Sequence, residues 1–151
     1  MRFGILGDAK ISRNQIIPAM QENGFSLVHL GTREPKRPSL KHYGFSKIGR
    51  YDDVLLNPEV EAVYIPLPNH LHAEWSIKAL NAGKHVLCEK PMALSLSEID
   101  AVEKAAKLSN CYFQEAFMVR SHPQWEWLKK IKIGDALHIS AIFSYPVSYT
   151  H

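Results

Sequence analysis

Arg2-Phe3-Gly4-Ile5-Leu6-Gly7-Asp8-Ala9-Lys10-Ile11-Ser12 is the stretch on which the fold turns. Arg2–Leu6 reads as a buried strand, and it runs straight into a glycine turn. Residues 11–21 follow as a helix, with Ile16, Ile17 and Met20 at helical spacing and Asn23-Gly24 closing it as a C-cap. A strand that enters a helix through a tight turn is the opening of a βαβ unit.

The same alternation continues outward. Ser26–Gly31 is a second strand, ending at Thr32-Arg33-Glu34-Pro35. Pro35, Pro38 and Gly44 allow only a short helix across residues 36–45. Tyr51–Leu56 is a small helix stopped by Asn57-Pro58, and residues 60–65 form a β-branched strand cut off by Pro66 and Pro68. Residues 70–82 read as an amphipathic helix carrying Trp75, Ile77 and Leu80, ended by Gly83. His85–Cys88 is the next strand, followed by Glu89-Lys90-Pro91. Residues 97–108 read as a helix with Ser97 as N-cap and Ile99, Val102 and Ala106 on one face. Residues 111–117 form a further strand. Residues 124–133 read as a helix with Trp125, Leu128 and Ile131 inward, and residues 136–145 as a last strand. The expected fold is α/β: a Rossmann-type doubly wound parallel sheet with helices on both faces.

Composition narrows the classes. The 151 residues are 46% hydrophobic and 22% charged, enough apolar material for a core and too much for a disordered chain. No apolar run is long enough to span a membrane. The early strand leaves no room for a signal peptide, so a cytoplasmic location is expected. Eighteen basic against fifteen acidic residues give a net charge of +3, too small and too dispersed for a nucleic-acid surface. Cys88 and Cys111 form neither a zinc spacing nor a redox pair and are expected to be reduced and buried.

In a doubly wound sheet ligands bind beyond the carboxyl ends of the strands, where strand order reverses. Four blocks of this chain sit there. Gly7-Asp8-Ala9-Lys10-Ile11-Ser12 has the spacing of the dinucleotide fingerprint G-x-G-x-x-G/A but retains only its first glycine. An ordinary strand-turn-helix fits it as well. Thr32-Arg33, at the end of the second strand, stands where an NAD site usually offers Asp or Glu to the ribose 2′-hydroxyl. A guanidinium there suits a 2′-phosphate, with Lys36 and Arg37 adding positive charge, so NADP is the expected cofactor and NAD the alternative. A solvated basic loop is the plainer account.

The third block is Pro66-Leu67-Pro68-Asn69-His70-Leu71-His72. Its prolines end the strand, and Asn69 and the histidines offer donors to a ribose or carboxamide; Asn69 also suits a helix N-cap. His70 and His72 have no acidic or cysteine partner near in sequence, so no metal site is expected. The fourth is Glu89-Lys90-Pro91. A lysine held beside a nicotinamide can exchange a proton with, or orient, a hydroxyl, while Glu89 accepts from ribose hydroxyls or pairs with Lys90. A surface salt bridge is the competing account.

Taken together these blocks resemble the Gfo/Idh/MocA oxidoreductase family. The resemblance is carried by Phe3-Gly4-Ile5-Leu6-Gly7, Asn57-Pro58-Glu59-Val60-Glu61-Ala62-Val63-Tyr64, Ala82-Gly83-Lys84-His85-Val86-Leu87-Cys88-Glu89-Lys90-Pro91, and Glu115-Ala116-Phe117-Met118-Val119-Arg120-Ser121-His122-Pro123-Gln124. It implies that Gly7, Ala9, Lys10 and Ile11 line the pyrophosphate and that Thr32 and Arg33 hold the adenosine ribose or its phosphate. Pro68, Asn69 and His72 would lie along the cofactor and Glu89 near the nicotinamide ribose. Lys90 would be catalytic and also touch the cofactor, and Arg120 would close over cofactor or substrate. His122 reads as a helix start before Pro123.

The implied chemistry is hydride transfer between a nicotinamide and a carbinol or carbonyl carbon of a sugar, polyol or diol. Nucleic acid and membrane are not expected partners, and the full-length protein is expected to form a homo-oligomer. The expected domains are 1–120, nucleotide-binding, and 121–151, the truncated start of an α+β substrate domain, so this chain alone is expected to bind cofactor without turnover. A non-catalytic NADP(H) sensor or partner module is the alternative. Residues 136–145 would then be an unpaired, aggregation-prone strand. Pro146-Val147-Ser148-Tyr149-Thr150-His151 resembles translated adapter read-through and is read as non-native.

Overall fold

The computed structural model describes residues 1–36, 43–132, 134–135, 137–140 and 142. Arg37 and the tail from Pro146 therefore lie outside the described residues. The chain separates into two units, Met1–Phe117 and Met118–His151.

The first unit is built on β1 (Arg2–Leu6), β2 (Ser26–Gly31), β3 (Lys47–Gly49), β4 (Ala62–Ile65), β5 (His85–Cys88) and β6 (Phe113–Glu115). Among the described residues these form one sheet in the order β3-β2-β1-β4-β5-β6, every neighbouring pair parallel. Order reverses between β1 and β4, which is where a doubly wound sheet opens its crevice.

Helices cover both faces. Ile17 and Met20 of α1 (Ile17–Glu22) pack with Phe3, Ile5, Leu27, Leu30, Ala62 and Tyr64 on one side. On the other, Leu6, Val63, Ile65 and Val86 meet α2 (Tyr51–Leu56), α3 (His72–Asn81) and α4 (Leu96–Ser109) through Val54, Leu55, Ala79, Leu80, Val102 and Ala105. Apolar side chains alternate to both sides along β1 and β4, so each strand is a continuous apolar run and the sheet is an interior layer.

Several elements depart from the sequence reading. The helix expected over 11–21 carries a π-helical segment, Ser12–Ile16, in which the Ile17 N–H reaches back to the Ser12 carbonyl. Pro18 follows at once. It has no N–H to donate, and the widened turn lies directly against that gap in the ladder. Ser95, not Ser97, caps α4: its Oγ accepts from the Glu98 N–H at 3.3 Å, and the Glu98 carboxylate accepts from the Leu94 N–H at 2.7 Å. Serine followed three residues on by glutamate sets the start, and Ser97 falls inside the helix. The three-residue β3 was not expected, being too short to show a period.

The second unit contains a 3-10 turn, Met118–Ser121, and α5, Pro123–Leu128. His122 caps α5, its Nδ1 accepting from the Gln124 N–H. The helix is shorter than the expected 124–133, and Trp125 and Leu128 are exposed rather than inward. Residues 137–140 and 142 carry no strand; the rest of the strand expected over 136–145 lies outside the described residues. No helix is long and apolar enough to cross a membrane among the described residues.

A buried histidine makes the core pH-sensitive. His29 on β2 is 6% exposed, and its Nδ1 lies 3.3 Å from the Asn57 side-chain amide, an arrangement that suits a neutral ring. Burial lowers its pKa from the ordinary 6.5; Lys47 adds to this and Asp53 opposes it. The folded state thus binds this proton less readily than the unfolded chain. The stability that His29 supplies is complete above pH 6.5 and is lost as pH falls through the lowered folded-state value. The urea midpoint should fall further between about pH 7 and pH 5 in the wild type than in His29→Gln. Equal falls would contradict this account.

Candidate nucleotide site

Each candidate block emerges at the carboxyl end of a strand. After β1, Gly7 has φ +116°, a backbone geometry that L side chains rarely adopt, and a methyl there would stand 3.1 Å from Leu67 Cδ2. Glycine is required on both counts. Asp8 is held beneath the turn by Arg13, whose Nη1 lies 2.9 Å from the carboxylate and 2.9 Å from the Asp8 carbonyl. That pairing offsets the Asp8 negative charge at the turn.

After β2, the Thr32 N–H donates to the Gly49 carbonyl at 2.9 Å, and Thr32 Oγ1 accepts from the Glu34 N–H at 3.3 Å. This small turn leaves Arg33 exposed at the cleft. Gly7, Ala9, Thr32, Arg33, Tyr51 and Leu67, with Pro66, Pro68, His70, Leu71, Asp8 and Glu34, surround a cleft of about 400 Å³. Glu34, Pro35, Lys36 and Arg50 line a shallower hollow at its end. Burial raises the pKa of Tyr51, and the positive charge of Arg33 opposes that shift.

Behind β5 the carboxylate and the lysine diverge. Glu89 is 9% exposed and turned into the fold, where the Tyr64 hydroxyl donates to it at 2.7 Å. Burial and this carboxylate hold the Tyr64 phenol protonated, well above its ordinary range. Lys90 is exposed and makes no ion pair among the described residues, so the Glu89–Lys90 pairing considered from sequence does not form. Removing the Tyr64 hydroxyl leaves Glu89 without its short donor. Tyr64→Phe should cost about 1–2 kcal/mol in urea unfolding, and an unchanged midpoint would show the bond to be dispensable.

The structure places the remaining sequence candidates unevenly. Lys10 and Ile11 open the helix after Ala9 but do not face the cleft, and Asn69 lies in the 3-10 turn Asn69–Leu71 with Pro68, His70 and Leu71 as the cleft-lining neighbours. Pro68 occupies the N-cap position there without a side-chain bond, so Asn69 is not the cap. His72, expected along the cofactor, is buried, with both ring nitrogens on backbone carbonyls and none turned to the cleft. Arg120 lies in the Met118–Ser121 turn of the second unit. Cys88 is buried and free, its thiol pushed up to about 12 by burial; Cys111 is also free but only partly buried. No group of three or more His, Cys, Asp or Glu side chains could hold a metal among the described residues.

Residues 1–117 match the model of the Gfo/Idh/MocA oxidoreductases, described as an oxidoreductase family with an NAD-binding Rossmann fold. The chain belongs to this family. Gfo/Idh/MocA relatives include the uncharacterized oxidoreductase ORF334 of Rhizobium meliloti, 41% identical over 95% of this chain and 46% of the relative. D-xylose 1-dehydrogenase (NADP(+)) 2 of Haloferax volcanii is 36% identical over 96% of this chain and 46% of its own length. Among solved structures, KijD10, a 3-ketoreductase from Actinomadura kijaniata in complex with NADP and TDP-benzene, has a TM-score of 0.80 at 32% identity. It covers 85% of this chain and 40% of that one. The chain thus spans about half the length of these Gfo/Idh/MocA relatives.

Sequence reasoning overlooked four residues. Glu34 lines the cleft one residue beyond the Thr32-Arg33 pair. Arg13 holds the glycine turn from the helix beyond, and Tyr64 reaches Glu89 from a neighbouring strand. Lys84 is 8% exposed, with Nζ donating to the carbonyls of Asn57 at 2.9 Å and Val60 at 2.8 Å. Burial lowers its pKa, and its place at the opposite end of β5 from Lys90 gives it a structural task.

Proposed function

We propose that this chain is the nucleotide-binding part of an NADP-dependent oxidoreductase that transfers hydride between a nicotinamide and a carbinol or carbonyl carbon of a sugar, polyol or diol. The observation that carries this reading is the cleft at the β1/β4 reversal, with glycine geometry at Gly7 and an exposed guanidinium, Arg33, at one end. The residues present fit a dinucleotide. The absence of a side chain at Gly7 brings backbone close to the bound group, and the cleft volume lies in the range of ligand sites.

In this reading the turn from Gly7 to Ala9 faces the pyrophosphate. Thr32 and Arg33 hold the 2′-phosphate, with Lys36 and Arg50 adding positive potential beside it. When bound, the nicotinamide supplies or accepts the hydride. Lys90, exposed and unpaired beyond β5, orients the substrate hydroxyl or carbonyl and exchanges its proton. The sugar-related activities named for the Gfo/Idh/MocA relatives support the substrate class.

The test is to map NADPH on the isotopically labelled chain by amide chemical shifts. Perturbation should concentrate at Gly7–Ala9, 32–34, Leu67 and 69–71. Shifts confined to other surfaces would overturn the assignment.

A further inference from the structure

The ladder between β4 and β5 stops for a chemical reason. Its last backbone bond runs from the Glu89 N–H to the Ile65 carbonyl at 3.0 Å. Beyond it come Pro66 and Pro68 on one strand end and Pro91 on the other, none of which has an N–H. The carbonyls of Leu67 and Pro91 lie beyond this last rung. His72, 1% exposed at the start of α3, sits between them: Nε2 lies 2.7 Å from the Leu67 carbonyl and Nδ1 lies 2.7 Å from the Pro91 carbonyl.

Carbonyl oxygens only accept. Any hydrogen bond between the ring and these carbonyls is therefore donated by the imidazole.

We infer that His72 is a positioning residue whose ring, set between these two carbonyls, ties the Leu67 wall of the cleft to the loop that bears Lys90. Resting on the cofactor reading above, it gives that site its internal spacing. Leu67 lies against the Gly7 turn, and Pro91 follows Lys90 directly. The ring therefore sets the distance between the turn that faces the pyrophosphate and the lysine beyond it. It is anchored on a helix packed against the sheet, so the spacing is fixed before any ligand arrives.

Two measurements on the 151-residue chain decide the matter. Nitrogen-15 spectra of the wild-type imidazole should show a slowly exchanging His72 ring proton coupled through a hydrogen bond to the Leu67 or Pro91 carbonyl. A ring whose protons all exchange freely overturns the inference, whether or not any cofactor binds. His72→Phe fills the space without a donor, and His72→Gln retains a single donor group. With the fold verified by circular dichroism, the Kd for NADPH should rise about tenfold in His72→Phe and less in His72→Gln. A variant that loses thermal stability yet keeps the wild-type Kd assigns His72 to packing alone and overturns the inference. If the wild type binds no NADPH, the cofactor reading fails and the ring-proton spectrum alone decides the tie.

Discussion

Arg33→Ala should weaken NADPH binding by roughly tenfold or more while leaving NADH affinity nearly unchanged. The asymmetry follows from what differs between the two ligands. The 2′-phosphate adds a doubly charged acceptor, which the proposed reading puts at the end of the cleft where Arg33 is exposed beside the buried Thr32. Charge-assisted bonds from a guanidinium to phosphate are the strong members of their class, although exposure to solvent and salt trims them. Glu34 sharpens the prediction because it shares that end of the cleft. Its carboxylate repels a phosphate and accepts from a ribose hydroxyl, so Glu34→Gln should move the preference further toward NADPH. Equal losses for both cofactors in Arg33→Ala would place the guanidinium on a part of the ligand common to both.

Gly4→Ala should be among the most damaging single-methyl additions in the first unit, costing up to about 3 kcal/mol. Gly4 lies on central strand β1, on the face where α2 packs. A Cβ there would overlap Val54 Cγ1 and stand 3.2 Å from Val60 Cγ1. Val54 is fully buried and β-branched, so it cannot swing its methyl aside without leaving its rotamer. The clash is with a stiff partner, which separates it from an overlap that a long side chain relieves. Val54→Ala alone leaves a cavity and should also destabilise. The double variant Gly4→Ala/Val54→Ala should recover part of the loss, because the new methyl occupies the space the old ones vacate. Strict additivity in urea unfolding would show that the two positions do not share that space.

Much of this molecule was legible from the residues because its signals are local. The strands at Arg2–Leu6, Ser26–Gly31 and His85–Cys88 are apolar runs bounded by turn residues, and each ends beside a block rich in Gly, Pro or charge. The blocks after Leu6 and Gly31 meet in one cleft because parallel strands carry their carboxyl ends to the same rim, whereas Glu89-Lys90-Pro91 emerges at that rim without lining the cleft. What escaped detection depends on partners distant in sequence. Lys84 looks like an ordinary surface lysine until the Asn57 and Val60 carbonyls are found beneath it. Tyr64 and Glu89 are 25 residues apart and meet only once β4 and β5 pair. His72 carries the signature of a ligand-facing histidine, yet its ring nitrogens are spent inside the fold on the Leu67 and Pro91 carbonyls. Local pattern cannot report a contact with a loop 19 residues away.

The most direct measurement is an equilibrium titration of the chain with NADPH and with NADH, at one fixed and stated salt concentration. The account predicts saturable binding of both at a single site, with NADPH tighter by about tenfold through its 2′-phosphate. Failure of both to bind, or tighter binding of NADH, would contradict it.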